Sequence, residues 1–515
     1  MKRLHPDTLT HANAAAAQPA YDRSALRIGI VHLGLGAFAR AHLAPVNEAA
    51  MQAAQDWRWG ICGVSLRQPD TRDALGPQDG LYTLAIRDAD ASGDHRQSLS
   101  VIGALRELHV APENPEGVLA RIAHPDTRIV SITVTEKGYC HDPATGALRL
   151  DHPDIIHDLA HPDAPRSIIG FIVHGLQRRL VHQMAPITVM SLDNLPANGK
   201  LLRGLILDFA HRVDPALHHW IAATCTFPCS MVDRIVPRTT VDDRSDVSRT
   251  SGLDDAWPVL GEPFLDWVIE DDFAADRPDW REGGARFVRD AQPYELLKLR
   301  MVNGTHSALA YLSVLAGWPT VDVAIAQPAM RAYIGDLMRE EIAPTLPALE
   351  GLDLAAYSER LLKRYSNPAL KHQTRQIAMD GSQKLPQRLL GTIRERLAKS
   401  QRIDGLALAV AGWLMYLQGV DATGATYTIS DPLADALKLR LEAADIERRQ
   451  TDRSAGHDAT DLESNMRYIA VMTAYAPVFG DLGGDARFVR AVAEQFGRLC
   501  TMGVVATLDR YRDVR

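Results

Sequence analysis

Strands buried on both faces read as short, nearly continuous apolar runs, whereas helices repeat their apolar positions every three to four residues. Residues 27–34 (RIGIVHLG) form such a run, partly β-branched and closed by glycine. Trp59 to Leu66, Arg128 to Val134 and Ala185 to Leu192 repeat the pattern. Between them lie helical patterns, at residues 39–54 in spite of Pro45, and from Ser167 to Leu180. Strands alternating with helices predict a parallel α/β sheet. From about Tyr294 the texture changes to helical periodicity without a strand series. The expected organisation is an α/β domain over 1–290 and a mostly helical domain over 291–515. Residues 1–25 form a loose leader in this reading, and the polar stretch Asp452 to Ser464 an exposed loop.

Composition narrows the function. The chain has 515 residues, 46% of them hydrophobic and 23% charged, as in ordinary soluble proteins. Its net charge of −8 gives no general drive toward nucleic acid. The longest apolar run, Leu406 to Leu417, is too short to span a bilayer and reads as a buried helix. Five cysteines, an odd number with only Cys225 and Cys229 close together, argue against a disulfide framework and fit a reducing cytoplasm.

The first predicted strand runs into Gly34-Leu35-Gly36-Ala37-Phe38-Ala39, a G-x-G-x-x-A turn leading into a helix. The first glycine permits the tight turn, the second lets a pyrophosphate approach the backbone, and the small third residue allows close helix–strand packing. Flanked by a strand and a helix, this is a dinucleotide fingerprint and makes the first domain Rossmann-like. The nearest acid after the second strand is Asp70, 36 residues past Gly34 and later than the usual ~20. Asp70 would bond a ribose 2′-hydroxyl and favour NAD; Arg67 beside it would welcome a 2′-phosphate, which keeps NADP open.

The segment Tyr294 to Gly317 carries Glu295, Lys298, Asn303 and His306. On a uniform α-helix they share one arc of roughly 140°. Oxidising an alcohol requires a base for the hydroxyl proton, and a desolvated lysine serves. Amides hold the developing oxygen by donating to it. The competing reading is a solvated charged face. Gly304 next to Asn303 would let a ligand or a second backbone come close.

The pattern Lys298-x4-Asn303-x2-His306 in LKLRMVNGTHSALAYL resembles the signature of the polyol-specific long-chain dehydrogenases, the mannitol dehydrogenase family. HLGLGAFARAH, with Phe38, Arg40 and His42, is similar to that family's glycine-rich loop. SLDNLPANG (191–199), FPCSMVDRIVP (227–237) and GEPFLDWVIEDDF (261–273) resemble further family blocks. The resemblance covers nearly the whole chain from about residue 27. It implies Lys298 as general acid/base, Asn194 and Asn303 as the oxyanion-binding pair, and His306 as the group that bonds substrate hydroxyls and orients the lysine. It implies further that Asp233 touches substrate and that Glu295 conducts the released proton. Gly34, Gly36, Ala37, Phe38, Arg40 and Asp70 would hold NAD. No catalytic metal is implied, and the lone Cys225-x3-Cys229 pair reads as core. A monomer is compatible with the family.

Members of the family act on mannitol, arabinitol or sugar acids. A sugar-acid carboxylate calls for an Arg fork or a Lys. Residues 367–390 supply Lys371, His372, Arg375, Lys384 and Arg388, of which His372, Arg375 and Lys384 are assigned to substrate and Arg388 and Lys371 to solvent. This segment and VTEKGYC (134–140), with Lys137, resemble the mannonate oxidoreductase (fructuronate reductase) branch. DDAWPV (254–259) and the Gly63-Val64 strand end are closer to mannitol enzymes. The expected reaction interconverts D-mannonate and D-fructuronate. The alternatives are mannitol or arabinitol as substrate, and a non-catalytic dinucleotide sensor.

Overall fold

The computed structural model describes residues 1–89, 95–142, 145–349, 352–455 and 461–513, which form two compact units, Met1–Glu295 and Leu296–Arg515. The first unit is built on β1 (Ile28–Leu33), β2 (Gly60–Ser65), β3 (Leu105–Val110), β4 (Ile129–Ile132) and β5 (Thr188–Ser191). All pair in parallel, in the order β3-β2-β1-β4-β5, which is the Rossmann arrangement. Alternate residues face opposite layers. Val31, Leu33, Val64 and Ile132 pack under the helices Pro115–Ile122, Ile168–Val181 and Asn198–Val213. Ile30, Ile61 and Ile129 pack under Leu43–Ala54. Because both faces are covered, these strands carry no polar alternation. β3 escaped the sequence pattern for the converse reason. It is an edge strand, and Arg106 to His109 are only partly buried.

The helix expected over 39–54 is two helices, Ala37–Ala41 and Leu43–Ala54, broken at His42 (φ −121°, ψ −77°). Pro45 has no N–H to offer the Ala41 carbonyl, and its ring crowds that position. Arg234 fills the vacancy, its Nη1 donating to the Ala41 carbonyl at 2.7 Å.

Residues 1–25 are not a loose leader. Lys2–Arg3 pairs with Leu253–Asp254, and Ala16–Ala17 pairs with Leu99–Ser100. Leu4 and Ala16 are buried. Arg23 is buried as well, donating to the Gly103 carbonyl (3.0 Å), the Leu105 carbonyl (2.8 Å) and the Asp79 carboxylate (2.7 Å). A guanidinium survives burial only with such acceptors, and they come from chain far away in sequence.

In the second unit no strand follows Val288 among the described residues. The apolar run at 406–417 is the helix Asp404–Tyr416, buried almost all round and packed with Thr305–Ala316 and Ala486–Asp513 in one core. Residues 452–455 belong to the helix Ala434–Ala455, and Leu462 opens the next helix. Of the expected loop at 452–464, residues 456–460 lie outside the described residues. No described helix is long and apolar enough to cross a membrane, and all five cysteines are free.

Replacing Arg23 with Ala takes this donor from two buried carbonyls, of Gly103 and Leu105, while Asp79 keeps Arg106. The expected cost is about 2–3 kcal/mol, read as a lowered urea midpoint at constant m-value. A detached leader would leave the midpoint where it is.

Candidate active site

The glycine turn leaves β1 at Gly34, whose φ of +94° an L side chain rarely adopts; a Cβ there would lie 2.1 Å from the Thr133 carbonyl oxygen. Gly36 is extended (φ −118°, ψ −171°), so conformation does not demand glycine there. A Cβ on it would meet only the Gly34 oxygen, at 3.9 Å. The first glycine makes the turn and the second leaves room beside it. The turn is anchored from below. His32 lies 2.9 Å from Ser131 Oγ and 2.9 Å from Thr133 Oγ1, and Thr133 Oγ1 donates to the Gly34 carbonyl (2.8 Å). Burial pulls His32 down to about 4, so it is neutral. Sequence reading passed over His32; a histidine inside an apolar strand was the available signal.

Ala37 opens the helix after the turn, and Phe38 packs on His42 with ring centroids 4.0 Å apart. Arg40 lies two residues further on. It is buried, donates from Nη1 to the Trp257 carbonyl (2.6 Å) and lies over the Tyr82 ring, while Tyr82 Oη donates to the Arg40 carbonyl. Arg40 joins the glycine turn to residues 82 and 257. Asp70 is exposed, on the first turn of the helix Asp70–Leu75, and neighbouring Thr71 Oγ1 donates to the Leu35 carbonyl (3.4 Å).

The segments after β4 and β5 meet at Asp193. Its carboxylate accepts from Val134 N–H (3.0 Å), Thr135 N–H (3.3 Å) and Tyr139 Oη (2.8 Å), and burial holds it up at about 6. Asn194, next in the chain, is exposed. Asn198 pins the loop from below, its Nδ2 donating to the carbonyls of Ser191, Asp193 and Ser230. Asp233 is buried at the end of the strand Ser230–Asp233. Lys137 is exposed. Both oxygens of Glu295 accept from Ala197 N–H at 2.9 Å, where Ala197 holds a φ of +47°. Burial pushes Glu295 up to about 7; the Ala197 N–H bond opposes it, the charge of Glu270 adds to it, and Lys200 and Asp290 act in opposite directions with less effect.

The helix expected to carry Glu295, Lys298, Asn303 and His306 is not uniform. Gln292–Leu297 is α, Lys298–Gly304 is a π-turn, and Thr305–Ala316 is α again. A π-turn bonds residue i to i+5. Lys298 and Asn303, about 140° apart on an α-helix, are five residues apart and so come into register. His306 follows one α-turn later. The four side-chain positions are only 5% to 8% exposed, which rules out a solvated charged face. Asn303 Nδ2 and His306 Nε2 are buried without a hydrogen-bond partner in the protein, an arrangement uncommon in native interiors. A Cβ on Gly304 would meet the Arg388 carbonyl oxygen at 2.9 Å, so the glycine admits a second backbone, as its position suggested.

Around His306 stand Tyr365, stacked at 4.6 Å, and His372, edge-on at 5.4 Å. Burial, His372 and the charges of Arg388, Arg364 and Lys384 drive His306 well below its ordinary value. His372 falls to about 4 through burial and Lys384, so it supplies no cation, contrary to expectation, and its Nδ1 is unpartnered. Lys384 Nζ donates to the carbonyls of Ile377 (3.2 Å) and Met379 (2.5 Å). Arg388, expected in solvent, is partly buried and donates to Ser307 Oγ (3.2 Å). Arg375 is exposed, its guanidinium over the Tyr427 ring at 5.4 Å. Lys371 is exposed. Arg364 and Tyr365 were missed, because they end a helix whose sequence shows only amphipathic spacing.

Two groups of described residues have metal-ligand chemistry, Cys62/Glu107/His109 and Cys140/His152/Asp154. Neither includes a residue of the glycine turn or the π-turn, and Glu107 is already paired with Arg121. Cys225 and Cys229 are buried.

Glu295 binds its proton more tightly in the folded protein than the unfolded chain does, where the ordinary value is 4.5. Its contribution to stability is complete below that value and is lost as pH rises through about 7. Between pH 5 and 8 the wild type should lose roughly 2–3 kcal/mol relative to Glu295→Gln, measured by urea unfolding of both proteins at each pH. Parallel pH profiles would refute the assignment.

Residues 28–282 match the mannitol dehydrogenase Rossmann domain, and residues 290–499 match the mannitol dehydrogenase C-terminal domain. The chain is 44% identical to the D-mannonate oxidoreductase of Escherichia coli strain K12, over 91% of this chain and 96% of the relative. It is 37% identical to a mannitol 2-dehydrogenase of Phaeosphaeria nodorum, over 99% and 87%. The structure matches that of Pseudomonas fluorescens mannitol 2-dehydrogenase in ternary complex with NAD and D-mannitol, at a TM-score of 0.90, 36% identity and full coverage of both chains. With both domains matched in order and the glycine turn and π-turn residues in place, the chain belongs to the mannitol dehydrogenase family of oxidoreductases.

Proposed function

We propose that the protein is an NAD-dependent dehydrogenase of a sugar-derived secondary alcohol, with D-mannonate and D-fructuronate as its substrate pair. The observation that carries this reading is the buried set Lys298, Asn303 and His306, with two polar atoms lacking any partner. The glycine turn fits a dinucleotide: a Cβ at Gly36 would fill the space a pyrophosphate needs, and Asp70 stands beside the turn for a ribose hydroxyl. The nicotinamide of NAD supplies the hydride acceptor. Burial makes an ammonium easier to deprotonate, so Lys298 takes the hydroxyl proton during oxidation and returns it during reduction. Asn194 and Asn303 offer amide donors to the substrate oxygen. Neutral His306 bonds a neighbouring hydroxyl, Asp233 contacts substrate, and Glu295, near 7, relays the proton.

A carboxylate substrate is favoured by three cations, Arg388, Arg364 and Lys384, acting on one imidazole. A polyol hydroxyl has little use for them, whereas a carboxylate gains charge-assisted hydrogen bonds. The similarity to D-mannonate oxidoreductase supports the same choice. A mannitol 2-dehydrogenase activity is the second reading, favoured by the match to the complex with D-mannitol. The lysine base makes a metal unnecessary, and free cysteines suit a reducing cytoplasm.

Lys298→Ala should lower kcat by at least about a thousandfold while NADH binding, followed by fluorescence, stays within about twofold. Full activity of that variant across pH 6–10 would end the mechanism. Initial rates with mannonate, altronate, mannitol and arabinitol, each with NAD and NADP, should favour mannonate with NAD by more than about tenfold, or 1.4 kcal/mol. A reversed preference would establish the polyol reading, and activity lost in EDTA would restore a metal.

A further inference from the structure

Val302 provides the carbonyl at the junction between the π-turn and the α-helix that follows. In an unbroken α-helix this oxygen would accept the N–H four residues on. Here Thr305 N–H, three residues on, donates to it. Tyr365 Oη donates to it at 3.0 Å, and Thr305 Oγ1, which bonds the Met301 carbonyl more closely, lies 3.2 Å from it and 2.9 Å from Tyr365 Oη. Tyr365 is fully buried, and the face of its ring stacks on His306 at 4.6 Å with planes 19° apart.

One side chain thus touches both halves of the constellation. Its hydroxyl holds the carbonyl of the residue before Asn303, and its ring fixes the plane of the imidazole. From this geometry we infer that Tyr365 is a positioning residue, which keeps residues 298–304 in the π form and so keeps Asn303 in register with Lys298, while its ring orients His306 toward substrate. The kinetic part of this inference rests on the dehydrogenase reading above; the structural part does not. Without the hydroxyl, the Val302 carbonyl would lose its tie to the helix that ends at Tyr365, and the turn would relax toward the α form. Asn303 would then rotate away from Lys298.

Tyr365→Phe keeps the stack and removes the hydroxyl; Tyr365→Leu removes both. The crystal structure of Tyr365→Phe should show residues 298–304 as α-helix. Its kcat should fall at least about tenfold with KM unchanged within about twofold, because the hydroxyl acts on the reacting groups and not on substrate capture. Tyr365→Leu should in addition raise KM about fivefold or more, because His306 loses its support. A π-turn retained in Tyr365→Phe overturns the inference, as do kinetics of that variant identical to wild type. A wild type inactive on every sugar acid and polyol would sink the dehydrogenase reading alone, and the crystal structure would still decide this one. Should Tyr365→Phe not fold, Thr305→Val removes the hydroxyl that meets Tyr365 Oη and the Met301 and Val302 carbonyls. It should shift the turn and kcat in the same direction by a smaller amount, and an unmoved turn in that variant would refute the role.

Discussion

A helix that changes its hydrogen-bond step for seven residues is the constraint on which the rest of the site depends. An α-helix places residues five apart on different faces; a π-turn brings them into line. Lys298 and Asn303 are separated by five residues, and the π form spans Lys298–Gly304. The turn is held from outside. Tyr365 and Thr305 occupy the Val302 carbonyl, and the Arg388 carbonyl lies where a side chain on residue 304 would be. A second π-turn, Pro386–Leu390, contains that arginine, so two irregular turns lie against each other in the helical unit.

Burial then sets the charge of each group. His32, His306 and His372 are all driven below their ordinary range, chiefly by desolvation, and for His306 and His372 neighbouring cations add to the effect. A neutral imidazole both donates and accepts, which suits the recognition of hydroxyls. Carboxylates move the other way: Asp193 reaches about 6 and Glu295 about 7. A carboxyl poised near neutrality exchanges protons readily with its surroundings. The same desolvation thus yields neutral bases on one chain segment and a protonatable acid on another.

The nucleotide half follows a different logic. Its shape comes from main chain, with glycine forced at 34 by φ and open space left beside Gly36. Polar side chains beneath it serve as structural ties. His32, Thr133, Arg40 and Asn198 fix loops to strands. Arg40 shows how a family-like motif can contain a residue whose work is internal.

What the sequence by itself determined was local. Continuous apolar runs marked β1, β2, β4 and β5, because strands covered on both faces must be apolar throughout. The glycine turn was legible because its φ and its clearance are properties of single residues. Resemblance picked out Lys298, Asn303 and His306. Tertiary structure alone decided the rest, because each remaining feature depends on partners distant in the chain. Tyr365 reaches Val302 across 63 residues to hold the π-turn, and Arg40 turns inward to a carbonyl 217 residues away. The first 25 residues are tied down by strands and acceptors supplied from residues 79–105 and 253–254. His372 and Arg375 read alike as cations, yet one is buried and neutral and the other lies in solvent against Tyr427. Residue type sets what a side chain can do; its charge, direction and partner are set by what the fold packs against it.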